Sequence, residues 1–215
     1  PYEMGEHEYE ATIPDELLNR NSAEFLVHAI SKGGEVLVLE FKDRVVPVFV
    51  KPEQAAQTKN LARNDVVRVH YQIARMPTTP THLKLASDVP VAVEVLDSVM
   101  AKHGKPADVT GQLVLFPKSP QVVFDVYAVL ETLPNGLKRQ YTLVNFENQE
   151  LFKKLRALCA DAWAKAPQDY VNGRNKLIHN HVRIRAKGVF NEVDANQANV
   201  QILINDIKDL EVVQP

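Results

Sequence analysis

The chain has 215 residues, 45% apolar and 24% charged, with 8 Gly, 13 Pro and a net charge of −2. That composition excludes a collagen-like or wholly disordered chain and suits two small domains better than one large one. One cysteine, Cys159, excludes an internal disulfide framework and a cysteine-rich zinc site, and no apolar run approaches the ~20 residues of a membrane span.

The net charge conceals an asymmetry. Residues 1–16 contain Glu3, Glu6, Glu8, Glu10, Asp15 and Glu16 and no Lys or Arg, a charge of −6, so the remainder carries +4. Residues 1–19 are therefore read as an acidic arm. The sequence starts at Pro1, and one cysteine suits the cytoplasm and an exported protein alike, so the compartment stays open.

From Glu24 onward the chain is a series of short β-like runs. Phe25 to Ile30 is apolar apart from His28, and Ser31-Lys32-Gly33-Gly34 is turn-like. Glu35 to Phe41 alternates, and Val45 to Val50 follows after Lys42-Asp43-Arg44. Pro52 to Ala62 lacks strand character, and Pro52 with Ala55, Ala56 and Ala62 predicts a short helix. Asp65 to Ala74 and Val89 to Leu96 return to strand, separated by the proline-rich stretch Met76 to Pro80. Residues 98–107 are the expected linker between a domain over 20–97 and one over 108–215.

The second half repeats the order. Val109 to Phe116 is a strand, and Gln121 to Leu133 and Leu137 to Phe146 form a hairpin about Asn135-Gly136. Those two residues tolerate the positive φ of a tight turn. A helix follows, with Asn148 as the expected N-cap and Leu151, Phe152, Leu155, Leu158, Cys159, Ala162 and Trp163 along one face. Ile178 to Phe190 and Val200 to Val213 are the last strands, with a polar loop at residues 191–199 between them.

Each half thus reads as three strands, a helix and two strands, with Val67-Arg68-Val69 matched to Val182-Arg183-Ile184. In that element order the chain resembles a tandem OB-fold protein. The resemblance rests on no diagnostic motif. It implies a mostly β chain with one helix per half, folded as two small five-stranded barrels in tandem. It also implies an oligonucleotide or oligosaccharide bound on the face of strands 2 and 3.

The residues on that face disagree with such a function. With Asn135-Gly136 as a two-residue turn, Leu130 faces Tyr141 and Ala128 faces Leu143, so Val122, Phe124, Val126, Ala128 and Leu130 point inward. Asp125, Tyr127 and Glu131 then point outward, with Lys138, Gln140 and Thr142 across from them. One aromatic and one lysine among carboxylates make a poor phosphate surface.

The cations cluster elsewhere. Arg174, Lys176, Arg183, Arg185 and Lys187 occur with no acid among them, and His179, His181, Arg183, Arg185 and Lys187 share one strand face by alternation. The expected ligand site is this stretch with Tyr127 and Lys138, facing a single-stranded nucleic acid or another polyanion. The bland alternative is a face paired with acids such as Asp206, Asp209 and Glu211. The pair His179 and His181 lacks a third metal ligand, so neither metal nor cofactor is assigned. Cys159 and Trp163 on the helix, and Tyr71 beside Val67 and Val69, are read as core. No catalytic set assembles. The expected function is a non-catalytic binding module for a polyanion, or alternatively a protein-interaction or assembly module.

Overall fold

The computed structural model describes residues 13–42, 44–116, 125–145, 147, 149–165, 178–191 and 200–213. It divides into two compact units, one built on residues up to Ala101 and one on residues from Lys102 onward. Both are mostly β.

The first unit contains β1 (Ser22–Ile30), β2 (Val36–Phe41), β3 (Arg44–Phe49), β4 (Val66–Met76), β5 (Thr79–Leu85) and β6 (Val93–Asp97). The sheet order is β1-β2-β3-β5-β4, and a further β1–β4 pairing closes these five into a barrel. β3 and β5 are parallel and the other pairs antiparallel, while β6 adds to β4 outside the ring. Phe25, Leu37, Leu39, Val48, Val67, Val69 and Leu83 fill the interior at 0% exposure. Tyr71 is buried there as expected, its ring edge-on to Phe25 at 6.4 Å, and its hydroxyl donates to the Leu17 carbonyl at 2.6 Å. That bond fastens the short helix Asp15–Leu18 to the barrel.

Two expectations change here. The segment Pro52–Gln57 is a 3-10 helix ending well short of Ala62. Buried Gln54 holds the segment with one local bond and two distant ones: its Oε1 accepts from Lys51 N–H, and its Nε2 donates to the Leu85 and Ala86 carbonyls at the end of β5. The proline-rich stretch also hides a strand. Met76 pairs with Thr79 across a tight turn, so β5 starts at once and is the fifth strand of the barrel. Pro80 is tolerated near the strand start, where no ladder bond needs its missing N–H. The predicted strand at Val89 to Leu96 is the sixth strand, outside the ring.

The second unit repeats this plan with β7 (Pro106–Phe116), β8 (Val126–Thr132), β9 (Lys138–Val144), β10 (Ile178–Asn191), β11 (Gln201–Leu203) and β12 (Leu210–Val213). The pairings β7–β8, β8–β9, β9–β11, β11–β10 and β10–β7 again form a ring, with β9–β11 parallel and β12 added to β10. The strand predicted over Val200 to Val213 is therefore two strands, separated by a 3-10 turn at Ile207–Asp209. Asp206, named above among the acids that could face the cations, accepts from Lys208 N–H at 2.9 Å and starts that turn. The helical segment lies between β9 and β10 as Glu150–Leu158 and Ala160–Lys165, with Leu151, Leu155 and Cys159 buried. The expected N-cap Asn148 lies outside the described residues, as do residues 1–12 of the acidic arm.

Ring closure brings backbones very close at two glycines. A Cβ at Gly111 would stand 2.1 Å from the Leu130 carbonyl oxygen, and one at Gly188 would stand 2.0 Å from that of Leu203. Only glycine fits where the strands turn that sharply.

The hairpin register differs from expectation by one residue. β8 and β9 pair Ala128 with Thr142, Val129 with Tyr141 and Thr132 with Lys138, leaving five residues in the loop. Pro134 has no N–H for a ladder bond, Asn135 Oδ1 accepts from Leu137 N–H at 3.1 Å, and Gly136 takes φ +84°. An odd loop in place of an even one moves every β8 side chain to the other face. Tyr127 and Val129 consequently point inward and are 3% and 0% exposed. Ala128 and Leu130 turn to the opposite face and bury beside Val114.

Candidate anion-binding face

β10 carries the expected cations, and its burial alternates as the sequence predicts. His179, His181 and Arg183 are exposed and Arg185 and Lys187 half-exposed, whereas Ile178, Asn180, Ile184 and Ala186 are buried. This alternation survives an interruption. Between the His179–Val114 and Arg183–Gln112 pairs, β10 spends four residues where β7 spends two, and an even excess preserves the facing. Asn180 anchors the bulge: its Nδ2 donates to the Leu158 carbonyl at 2.9 Å and to Cys159 Sγ at 3.4 Å. Gln112 Nε2 donates to the Asn180 carbonyl at 2.6 Å, and His179 Nδ1 is 3.3 Å from Gln112 Oε1.

The same face takes side chains from the flanking strands. β7 places Thr110 opposite Arg185 and Asp108 opposite Lys187; β12 places Glu211 opposite Arg185 and Val213 opposite Arg183. Arg185 is claimed by Asp108 in a two-point contact, Nε to Oδ1 at 2.8 Å and Nη2 to Oδ2 at 2.6 Å. The arginine hydrogen bond, aided by the fields of Arg185 and Lys187, holds the Asp108 carboxyl below its usual range; the same pair raises Arg185. Arg183 differs, since its neighbours across the ladder, Gln112 and Val213, are both uncharged.

Lys138 shares this face of the sheet. The register runs from Gln140 through Leu130 and Gln112 to Arg183, and Lys138 stands two residues along β9 from Gln140. In the closed ring β9 and β10 are not neighbours, being separated by β8 and β7 on one side and by β11 on the other, so Lys138 projects from a different side of the barrel than Arg183. Tyr127 leaves the candidate set, because the hairpin register turns it into the barrel, where burial pushes its hydroxyl pKa up. Arg174 and Lys176 lie outside the described residues.

The sequence missed the acid on β7, the first strand of the unit, and it misaligned the halves. In the first unit Arg68 on β4 contacts Glu24 of β1 at 3.1 Å and Glu94 of β6 at 3.4 Å. In the second unit the arginine with that arrangement, an acid on the first strand and one on the sixth, is Arg185 and not Arg183. Arg68 and Arg185 act as struts across the strand that bears the extra sixth strand. A signal was available: each has an acid near the start of its half, Glu24 or Asp108, and another in the last strand.

Cys159 is fully buried, and burial pushes its thiol up to about 11, with the Asn180 contact opposing. Among the described residues no group of three or more His, Cys, Asp or Glu side chains is placed to hold a metal ion, and no helix is long and apolar enough to cross a membrane.

No family model matches this chain. No curated protein matches it. Among solved structures it is similar to the crystal structure of the tetrameric p202 HIN2, at 11% identity over 91% of this chain and 93% of that one. The TM-score is 0.26, a likeness that fixes neither fold nor function.

Proposed function

We propose that the chain is a non-catalytic binding module whose second unit holds a linear polyanion, a single-stranded nucleic acid being the probe of choice, on the outward face of β10. The observation that carries this reading is the outward row His179, His181, Arg183, Arg185 and Lys187 on one strand. Alternate side chains on a strand stand about 7 Å apart, close enough to meet successive phosphates loosely. Arg185, held by Asp108, is a fixed strut that sets the geometry. Arg183 and Lys187 on either side make the contacts, and a polyanion that continues round the barrel meets Lys138 as the third.

The charges set the expected strength. Asp108 and Glu211 on the same face oppose the cations, so affinity is modest and strongly salt-dependent. Three phosphate contacts to a single strand give a slope of log K against log salt of about −2. Fluorescence anisotropy of a labelled oligonucleotide at 50 and 200 mM salt tests this. Absence of binding at low salt, or binding without salt dependence, removes the reading.

A further inference from the structure

A different feature of the first unit also points to a partner. β6 is the terminal strand of its sheet, bonded to β4 on one side and to no described strand on the other. An open strand edge presents unpaired N–H and C=O groups that another extended chain can satisfy. Among the described residues, four of the five large apolar residues exposed in this unit lie on or beside it, Val91 at 59%, Val95 at 46%, Leu96 at 39% and Met100 at 45%, the exception being Met76 on the β4–β5 hairpin. The sixth strand of the other unit, β12, shows only Val212 comparably.

The register gives this edge two chemically distinct sides. Val93 and Val95 pair with Val69 and Val67, whereas Glu94 and Asp97 pair with Arg68 and Val66. Val66 and Arg68 share one face of β4, and Val67 and Val69 share the other. Leu96 is the bulged residue between the Asp97 and Val95 pairs, so both acids lie on one side and both valines on the other. From Leu85 to Ala101 the sequence has Asp88, Glu94 and Asp97 and no Lys or Arg.

We infer that the β6 edge is a docking site for a short extended segment of a partner protein, one alternating apolar residues with Lys or Arg. Such a segment adds as a seventh strand beside Val93–Val95. Its apolar side chains continue the Val93 and Val95 side, and its cations meet Glu94, whose carboxylate Arg68 also approaches at 3.4 Å, and the neighbouring Asp97, with their aliphatic stems over Leu96. A second copy of this chain fits worse, since its own β6 would bring acids to acids. The bulge at Leu96 bends the end of the strand and confines regular pairing to a few residues, so the partner segment is short.

The test uses the full chain with two six-residue peptides, one alternating Val with Lys and one alternating Val with Glu, read by hydrogen exchange at the amides of Val93 to Asp97. The Val/Lys peptide is expected to slow exchange there and the Val/Glu peptide to leave it unchanged. Val95→Lys combined with Leu96→Lys should weaken the Val/Lys effect at least fivefold. Met76→Lys, which alters an exposed apolar residue on the β4–β5 hairpin, should not. Exchange at β4 amides checks that the variants remain folded. No slowing by the Val/Lys peptide, or equal slowing by both, overturns the proposal. So does protection of β6 that rises with protein concentration alone, which would identify the occupant as a second copy.

Discussion

Replacing Asp65 with alanine removes one carboxylate that holds two chain segments together. Asp65 is 2% exposed; its Oδ2 accepts from Ala62 N–H at 2.9 Å and its Oδ1 from Val99 N–H at 2.8 Å. Its backbone is engaged as well, since Val27 N–H donates to the Asp65 carbonyl at 2.9 Å. The carboxylate thus joins the entry to β4 to the residues just after β6. Hydrogen bonds to a charged group contribute about 1.5–3 kcal/mol each, and the alanine variant loses two. Relief of the cost of burying the carboxylate offsets part of that loss. A net destabilisation of about 2–4 kcal/mol results, which for a barrel of this size is a fall in melting temperature of roughly 10–20 °C. Asp65→Asn should fall between, because its amide offers one acceptor and turns a donor toward the other N–H. Urea unfolding measures the stability, and hydrogen exchange at Ala62 and Val99 localises the loss. If Asp65→Ala costs less than about 0.5 kcal/mol, or if those two amides keep their protection, the carboxylate does not hold these segments together.

Three further outcomes follow from other contacts. Gly188→Ala drives a Cβ into the Leu203 carbonyl and should cost about 3 kcal/mol or more; an equally stable variant, seen by urea unfolding, would mean that β10 and β11 do not approach so closely. The Asp108 carboxyl, followed by carbon-detected NMR, should titrate below an ordinary aspartate and return toward it in Arg185→Gln. Because its folded pKa is depressed, its contribution to stability is present above the unfolded pKa and fades as pH falls through the folded one, so acid should narrow the gap between the parent and Asp108→Asn. Cys159 should resist alkylation at pH 8 in the folded chain and react once urea unfolds it; rapid labelling of the native protein would contradict its burial.

The sequence made some of this legible because some signals are local. Alternation on Ile178 to Phe190 showed which side of β10 bears the cations, since a strand period of two survives even a two-residue bulge. The run of elements, three strands then a helix, was readable from turn residues and β-branched runs. What stayed hidden depended on contacts between distant segments. The side on which Tyr127 lies follows from whether the loop after Thr132 holds an even or an odd number of residues, and Pro134 with the Asn135 turn decided that. Thr79 to Leu85 did not read as a strand because Pro80, with Pro77 just before the segment, masks a ladder that β4 supplies. The pairing of Arg185 with Asp108 joins residues 77 apart in sequence, and alternation within one strand cannot show it. In the first unit the sixth strand was read as the fifth, and in the second the fifth and sixth were read as one, because ring closure is a property of the sheet and not of any one segment.

The most direct measurement is the salt dependence of oligonucleotide affinity in the parent chain and in Arg183→Glu combined with Lys187→Glu. Both residues lie on the outward face of β10 and flank Arg185, and Lys187 stands opposite Asp108, so urea unfolding of the variant checks that the Asp108–Arg185 brace still holds the strand. The parent should lose about fifteenfold in affinity between 50 and 200 mM salt, the consequence of three released counterions on a single strand. The double variant should bind too weakly to measure at 200 mM, and near 50 mM its remaining slope should be shallower than −1, about −0.7 for the one contact left. Equal affinities and equal slopes in the two proteins would place any polyanion site elsewhere and contradict the account.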